Sequence, residues 1–167
     1  MSKKILIKGP LLSRSGYGEQ SRFALRSLRS RTDIFDIYII NIPWGHTGQV
    51  TNIDEEVNFI HETMLKTQMY MQQGGQFDVS LQVTVPNEFE KIAPVNIGYT
   101  AGIETTKVSP QWIAKSNEVV DKIIVVSNHS KKVFEQTKYD VKDKNGNEHK
   151  GWGIQKPVEA VNYPVRL

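Results

Sequence analysis

Short runs of apolar, often β-branched residues alternate with amphipathic segments along most of this chain, and this alternation limits the possible folds more than any other feature. The runs typical of buried strands are residues 4–8, 34–42, 77–85, 95–100 and 122–126. A proline stops each of the first three runs. Strands that alternate with helices form parallel sheets through right-handed crossovers. The sequence therefore predicts an α/β fold with a doubly wound, mostly parallel sheet.

Four segments between these runs have helical character. Residues 20–31 combine an apolar stripe with an outer face made basic by Arg22, Arg26 and Arg29. Capping residues predict where the other three begin: Asp54 for a helix that ends near Gly74, Ser109 before Pro110, and Ser127 before a helix with Val133 and Phe134. In the second helix, the residues predicted to pack inward are Val57, Ile60, Met64 and Leu65.

The length of 167 residues fits a single domain, residues 1–167. Residues 140–155 are polar, and Asn145-Gly146 within them favours a hairpin or a mobile insertion. Residues 158–163 are a candidate last strand, and we expect a domain boundary after them.

Composition excludes several kinds of chemistry. The chain has no cysteine, and so neither disulfides nor thiolate sites, which suits a reducing, cytoplasmic compartment. It lacks an apolar stretch near 20 residues, so we expect no transmembrane segment. The net charge of +3 is spread along the chain, which disfavours a nucleic-acid partner. The four histidines are scattered, so no metal site is predicted.

Ligands of open α/β sheets bind beyond the carboxyl ends of the strands. The loop after the first run offers Ser13, Ser15, Gly16, Tyr17 and Gly18 as candidate substrate-binding residues. Its glycines would let backbone amides at a helix start approach an anion such as phosphate. Alternatively, they only permit a tight turn. The loop has neither GxGxxG spacing nor a P-loop lysine, which disfavours kinase-like and ATPase functions.

Three further loops contain candidate catalytic or binding residues. Glu104, beside Thr100 and Gly102, could act as a catalytic carboxylate that positions a sugar hydroxyl, or could be a solvated side chain. Ser127, Asn128, His129 and Ser130 could bind an anion or a hydroxyl, or could simply cap a helix. Trp44 follows the second strand, and its ring could stack on a sugar. No GxSxG motif supports a serine hydrolase.

Two segments suggest a family. Residues 4–28 (KILIKGPLLSRSGYGEQSRFALRSL) and residues 85–137, which contain VVSNHSKKVF, resemble the N-terminal domain of GT-B glycosyltransferases of the family 4 type. Together they cover most of residues 3–137, and their amino-acid sequence most resembles that of viral and bacterial members. The resemblance implies a Rossmann-like domain that forms one half of a GT-B architecture, acting in the host cytoplasm if the protein is viral.

In that family, the N-terminal domain mainly binds the acceptor and the C-terminal domain mainly binds the nucleotide-sugar donor. The resemblance implies that Gly16 and Gly18 face the donor phosphates and that residues 127–130 line the same cleft. Glu104 takes the place where related enzymes often have a histidine or another polar residue. The donor-binding carboxylates of the family belong to the second domain, and nothing in this sequence replaces them.

We therefore expect the N-terminal domain of a glycosyltransferase, which would move a sugar from a nucleotide-sugar donor to an acceptor hydroxyl. It would need a C-terminal domain or a partner chain, use no cofactor, and be inactive alone. The main alternative is a non-catalytic Rossmann-like module that binds a nucleotide, a glycan or a protein. A third, weaker hypothesis is a nucleic-acid modifier that uses the basic face of residues 20–31.

Overall fold

A computed structural model describes residues 1–45 and 47–163. Six strands form one parallel sheet. These strands are β1 (Lys3–Gly9), β2 (Phe35–Asn41), β3 (Val79–Val83), β4 (Val95–Tyr99), β5 (Lys122–Val125) and β8 (Val158–Ala160). Their order across the sheet is β2-β1-β3-β4-β5-β8. The helices are α1 (Gly16–Arg29), α2 (Glu55–Gln72), α3 (Pro110–Val119) and α4 (Asn128–Gln136). The prediction of a Rossmann-like, doubly wound α/β fold is confirmed.

The strand order creates a reversal beside β1. Ile5 of β1 pairs with Ile37 of β2 on one side and with Val79 of β3 on the other. The chain thus leaves β1 toward one edge of the sheet and then returns to build the other half. Such a switch point opens a crevice at the carboxyl ends of the two strands that flank it. This places the loop after β1 at the centre of the candidate site.

Helix α1 begins earlier than the apolar pattern predicted. It starts at Gly16, four positions before the predicted start at Gln20. The side chain of Ser15 accepts a hydrogen bond from the amide of Gly18, which fixes this start. Gly16 and Gly18 therefore lie in the first helical turn.

The two largest apolar clusters among the described residues cover different halves of the sheet. The larger one joins the first strands to α1 and the start of α2 through residues such as Ile7, Leu25 and Ile60. The second joins β5 and β8 to α3 and α4, with Phe134 and Ile113 at its centre. The strand ladders of β3, β4 and β5 connect the two halves.

Helix α2 covers the free edge of β2. The amide of Ile39 donates to Thr67 Oγ1 at 2.8 Å, and Lys66 Nζ donates to the carbonyl oxygen of Ile37 at 2.9 Å. These bonds occupy backbone groups that an edge strand otherwise leaves open. Because the helix lies along this edge, Leu65 is 62% exposed, and its predicted inward position was wrong.

The connection between β3 and β4 covers a polar part of the sheet. It begins with a short 3-10 turn at Pro86–Glu88. The buried amide of Gln82 accepts from the amide of Glu90 and donates to its carbonyl oxygen. This paired contact holds the connection against the sheet in the way a neighbouring strand would.

The capping predictions had mixed outcomes. Asp54 and Ser127 cap α2 and α4 through their side chains, as predicted. Ser109 precedes α3, but its side chain makes no capping bond, because its hydroxyl instead donates to the side chain of Gln111.

A separate hairpin follows α4. Strands β6 (Tyr139–Lys142) and β7 (Glu148–Trp152) pair antiparallel within the polar segment at residues 140–155. Tyr139 and Trp152 pack against the second apolar cluster. No helix in the described part of the chain is long and apolar enough to cross a membrane.

Candidate functional site

The loop after β1 is held by a buried arginine. Arg22 Nη1 donates to the carbonyl oxygens of Leu11 and Ser13 at 2.8 and 2.7 Å. Arg22 is only 6% exposed, so its predicted place on a basic outer face was wrong. The reason is that the loop folds back over the start of α1 and presents carbonyl groups that a guanidinium can satisfy.

The segment after β2 joins this loop. The amide of Arg14 donates to the carbonyl oxygen of Gly48, and the amide of Val50 donates to that of Leu12. The hydroxyl groups of Ser13 and Thr47 are 2.8 Å apart. The loops after β1 and β2 thus form one continuous wall at the carboxyl edge of the sheet.

The two glycines of α1 have different surroundings. A Cβ atom at Gly18 would overlap the carbonyl oxygen of Ser13. At Gly16 it would meet no atom within 4 Å. Gly18 is therefore explained by close packing of the helix on the loop, as in the tight-turn alternative. Gly16 leaves open space at the helix start, where the dipole favours an anion.

Tyr17 links this wall to the end of β4. Its hydroxyl group lies 3.2 Å from Thr100 Oγ1 and accepts a hydrogen bond from the amide of Ala101. The ring of Trp44 lies beside that of Tyr17, with 4.9 Å between the centroids. The structure thus brings together seven of the predicted residues: Ser13, Ser15, Gly16, Tyr17, Gly18, Trp44 and Thr100. We call these the switch-point cluster.

Sequence reasoning missed Gln20 and Tyr163. The fully buried amide of Gln20 donates to the carbonyl oxygen of Thr100 and accepts from the hydroxyl group of Tyr163, each at 3.0 Å. Gln20 lies on the same helical face as Ala24 and Leu28. A polar residue on this otherwise apolar face is the one sequence feature that indicates a buried, hydrogen-bonded side chain. Tyr163 is 143 positions from Gln20, and no local pattern marks it.

Phenol groups close to this cluster stay uncharged at neutral pH. Burial raises the pKa of Tyr99, and the nearby Tyr163 adds to the effect. Burial also raises the pKa of Tyr163, with a further contribution from Tyr17. These side chains therefore act as hydroxyl donors and acceptors rather than as bases.

The predicted residues at the start of α4 split into two groups. Ser127 Oγ accepts from the amide of Ser130, and Ser130 Oγ accepts from the amide of Ile103. These serines tie the helix start to the loop after β4. Asn128 and His129 are exposed beside them and available to a ligand.

Glu104 lies apart from the switch-point cluster. It is exposed and lines a groove of about 420 Å³ with Ile103, Lys107 and Trp112. Gly102 also lines this groove, and none of the cluster residues does. A catalytic role for Glu104 would thus require a ligand that reaches from one site to the other. Within residues 1–45 and 47–163, no three His, Asp or Glu side chains are grouped to hold a metal ion.

The fold and this edge define a Rossmann-like, doubly wound α/β domain with hydroxyl side chains grouped at the carboxyl edge of the sheet, beside its switch point. No family model, no curated protein and no solved structure matches the chain.

Proposed function

We propose that this chain is the acceptor-side domain of a GT-B glycosyltransferase of the family 4 type. In this proposal it helps to transfer a sugar from a nucleotide-sugar donor to an acceptor hydroxyl, and a second domain or partner chain supplies the groups that hold the donor. The observation that carries the proposal is the switch-point cluster. It sets hydroxyl groups beside the aromatic rings of Tyr17 and Trp44.

The chemistry of this cluster suits a sugar. Hydroxyl and phenol groups both donate and accept hydrogen bonds, as the hydroxyl groups of a sugar require. An aromatic ring offers an apolar face to the CH groups of a sugar ring. The open space at Gly16, at the positive end of α1, is suited to a donor phosphate.

The resemblance and the geometry point to the same edge. Residues 4–28 include β1, the loop and nearly all of α1, and residues 85–137 include β4, α3, β5 and α4. The loops after these strands and the first turns of α1 and α4 provide all of the candidate residues except Trp44. The lack of cysteine supports a cytoplasmic location for the enzyme.

A non-catalytic binding module is the second candidate. Tyr17, Thr100 and Ser15 are already hydrogen-bonded to one another or to the backbone, and Glu104 lies in a separate groove. An edge whose polar groups are already hydrogen-bonded can still bind a ligand. Such binding needs no catalytic acid or base beside the ligand, as expected of a module that only binds.

The structure disfavours the nucleic-acid hypothesis. Arg22 is buried, and Arg26 and Arg29 pair with Glu56 and Glu55 of α2. The basic face on which that hypothesis depended is therefore largely neutralised, and little counterion release would accompany binding.

Binding to the switch-point cluster is testable on this chain. We would titrate ¹⁵N-labelled protein with a panel of nucleotide sugars and neutral oligosaccharides, and follow the amide resonances. We expect shifts at residues 13–18 and 100–102, and an affinity about 3- to 10-fold weaker in Tyr17→Phe. The matched control is Tyr70→Phe, because the hydroxyl of Tyr70 bonds to the backbone of Gln76 away from this cluster. Equal loss in both variants, or no shift with any ligand, would count against the proposal.

Turnover separates the two candidates. With the gene's complete product, a glycosyltransferase releases nucleotide from its donor faster when the acceptor is present. A protein that binds the same donor and never releases nucleotide is a binding module.

A further inference from the structure

Three residues after β8 cross the carboxyl edge of the sheet. The amide of Val161 donates to the carbonyl oxygen of Val125, which continues the pairing of β8 with β5. Two residues later, the hydroxyl of Tyr163 reaches Gln20 in α1. Residues 161–163 therefore connect the end of β5 to α1, next to the switch-point cluster. We call them the C-terminal strap.

Gln20 connects this strap to the cluster. Its side-chain amide is fully buried, and both of its ends are used: Nε2 donates to the carbonyl oxygen of Thr100, and Oε1 accepts from Tyr163. A planar amide with both ends bonded fixes the distance between its two partners. The position of Tyr163 is thus set relative to the same Thr100 whose hydroxyl meets Tyr17.

Tyr163 remains partly open to solvent. It is 43% exposed, although its hydroxyl is held. Through Gln20, its hydroxyl is connected to the carbonyl oxygen of Thr100, whose hydroxyl lies 3.2 Å from that of Tyr17. A partly exposed aromatic side chain with a fixed hydroxyl, beside the switch-point cluster, is suited to contact a sugar or the base of a nucleotide.

We infer that Tyr163 is a ligand-contacting residue of the switch-point site, and that Gln20 is the positioning residue that sets it there. This inference rests on the proposed function, because the ligand is a nucleotide sugar or a neutral glycan. It adds a contact from the C-terminal strap to the wall that the loops after β1 and β2 build and that Tyr17 links to the end of β4.

The first experiment uses protein labelled with ¹³C in the tyrosine rings. The probe is the tightest binder from the panel of nucleotide sugars and neutral oligosaccharides. We expect the Tyr163 ring resonance, assigned by its loss in Tyr163→Phe, to move on saturation, and the affinity of Tyr163→Phe to fall about 3- to 10-fold. Tyr70→Phe is the matched control, with unchanged affinity.

A double-mutant cycle tests the role of Gln20. If Gln20 acts through Tyr163, Tyr163→Phe weakens binding in the wild type but adds little in a Gln20→Met background. Additive losses would overturn the positioning role. Should Gln20→Met fail to fold, the ring resonance and the Tyr163→Phe affinity still decide whether Tyr163 contacts the ligand.

The outcomes separate the two proposals. If a probe binds at residues 13–18 while the Tyr163 ring and the Tyr163→Phe affinity stay unchanged, this inference is wrong and the proposed function stands. If no probe binds the wild type, the proposed function fails, and this inference fails with it.

Discussion

Gly18 and Gly16 are two positions apart in the first turn of α1, yet their surroundings differ sharply. We expect Gly18→Ala to lower the free energy of unfolding by about 2 to 3 kcal/mol, because its Cβ would overlap the backbone of Ser13. Gly16→Ala is the matched control. It has open space, and we expect it to be neutral or to stabilise by about 0.5 kcal/mol. Urea denaturation of both variants measures this difference, and similar effects at the two positions would contradict it.

Tyr38 makes stability depend on alkaline pH. Burial, aided by the charge of Asp36, raises its pKa from 10.0 to about 12. A raised folded-state pKa gives stability that is complete below the unfolded-state pKa of 10.0 and is lost as pH rises toward 12. Between these two pH values, we expect the free energy of unfolding of Tyr38→Phe to fall by about 1 to 2 kcal/mol less than that of the wild type.

The measurement is the free energy of unfolding in urea at a series of pH values above neutrality. If the free energy of unfolding of the wild type and of Tyr38→Phe changed with pH in parallel, Tyr38 would have the same pKa in the folded and unfolded states, and the prediction would be wrong.

At the scale of single elements, two buried serines give opposite predictions. Ser116 of α3 is fully buried, and in the described part of the chain its hydroxyl has no hydrogen-bond partner. Ser130 of α4 is as deeply buried, but its hydroxyl accepts from the amide of Ile103.

We expect Ser116→Ala to stabilise the protein by about 1 kcal/mol, because alanine removes an unpaired buried hydroxyl and favours the helix. Ser130→Ala should destabilise by about 1 to 3 kcal/mol, because it leaves the amide of Ile103 unpaired. Thermal unfolding of the two variants provides the comparison. Destabilisation by Ser116→Ala would mean that its hydroxyl has a partner after all.

The helices and strands show which features of the fold the sequence patterns predict correctly. The first five predicted strands match the observed ones within two residues at each end, because short apolar runs with proline stops are local signals. The candidate last strand, residues 158–163, begins as predicted but ends at Ala160. The start of α1 was missed by four positions, since glycines in its first turn resemble a loop. Leu65 was placed inward, because spacing alone does not show that α2 lies against the edge of a strand.

At the scale of the whole molecule, the two largest apolar clusters pack on one continuous sheet. We expect this chain to unfold in a single transition, because separating the clusters would break the ladder between β3, β4 and β5. Phe134→Ala, in the second cluster, should lower the free energy of unfolding by about 3 to 5 kcal/mol.

Native-state hydrogen exchange is the test of this prediction. The amides of Ile7 in β1 and Ile123 in β5 should lose protection equally in Phe134→Ala. Protection that falls only at Ile123 would show that the two halves of the sheet unfold separately.

The sequence by itself determined the fold class, because the alternation of strands and helices is written in local patterns of apolar residues, proline and capping side chains. It also directed attention to the loops after the strands, where the switch-point cluster lies. Only the tertiary structure decided that Arg22 points inward, that Tyr163 meets Gln20, and that Glu104 stands apart. These facts depend on contacts between segments that are distant or folded back in the chain. Such contacts arise when the sheet assembles, and no local pattern records them.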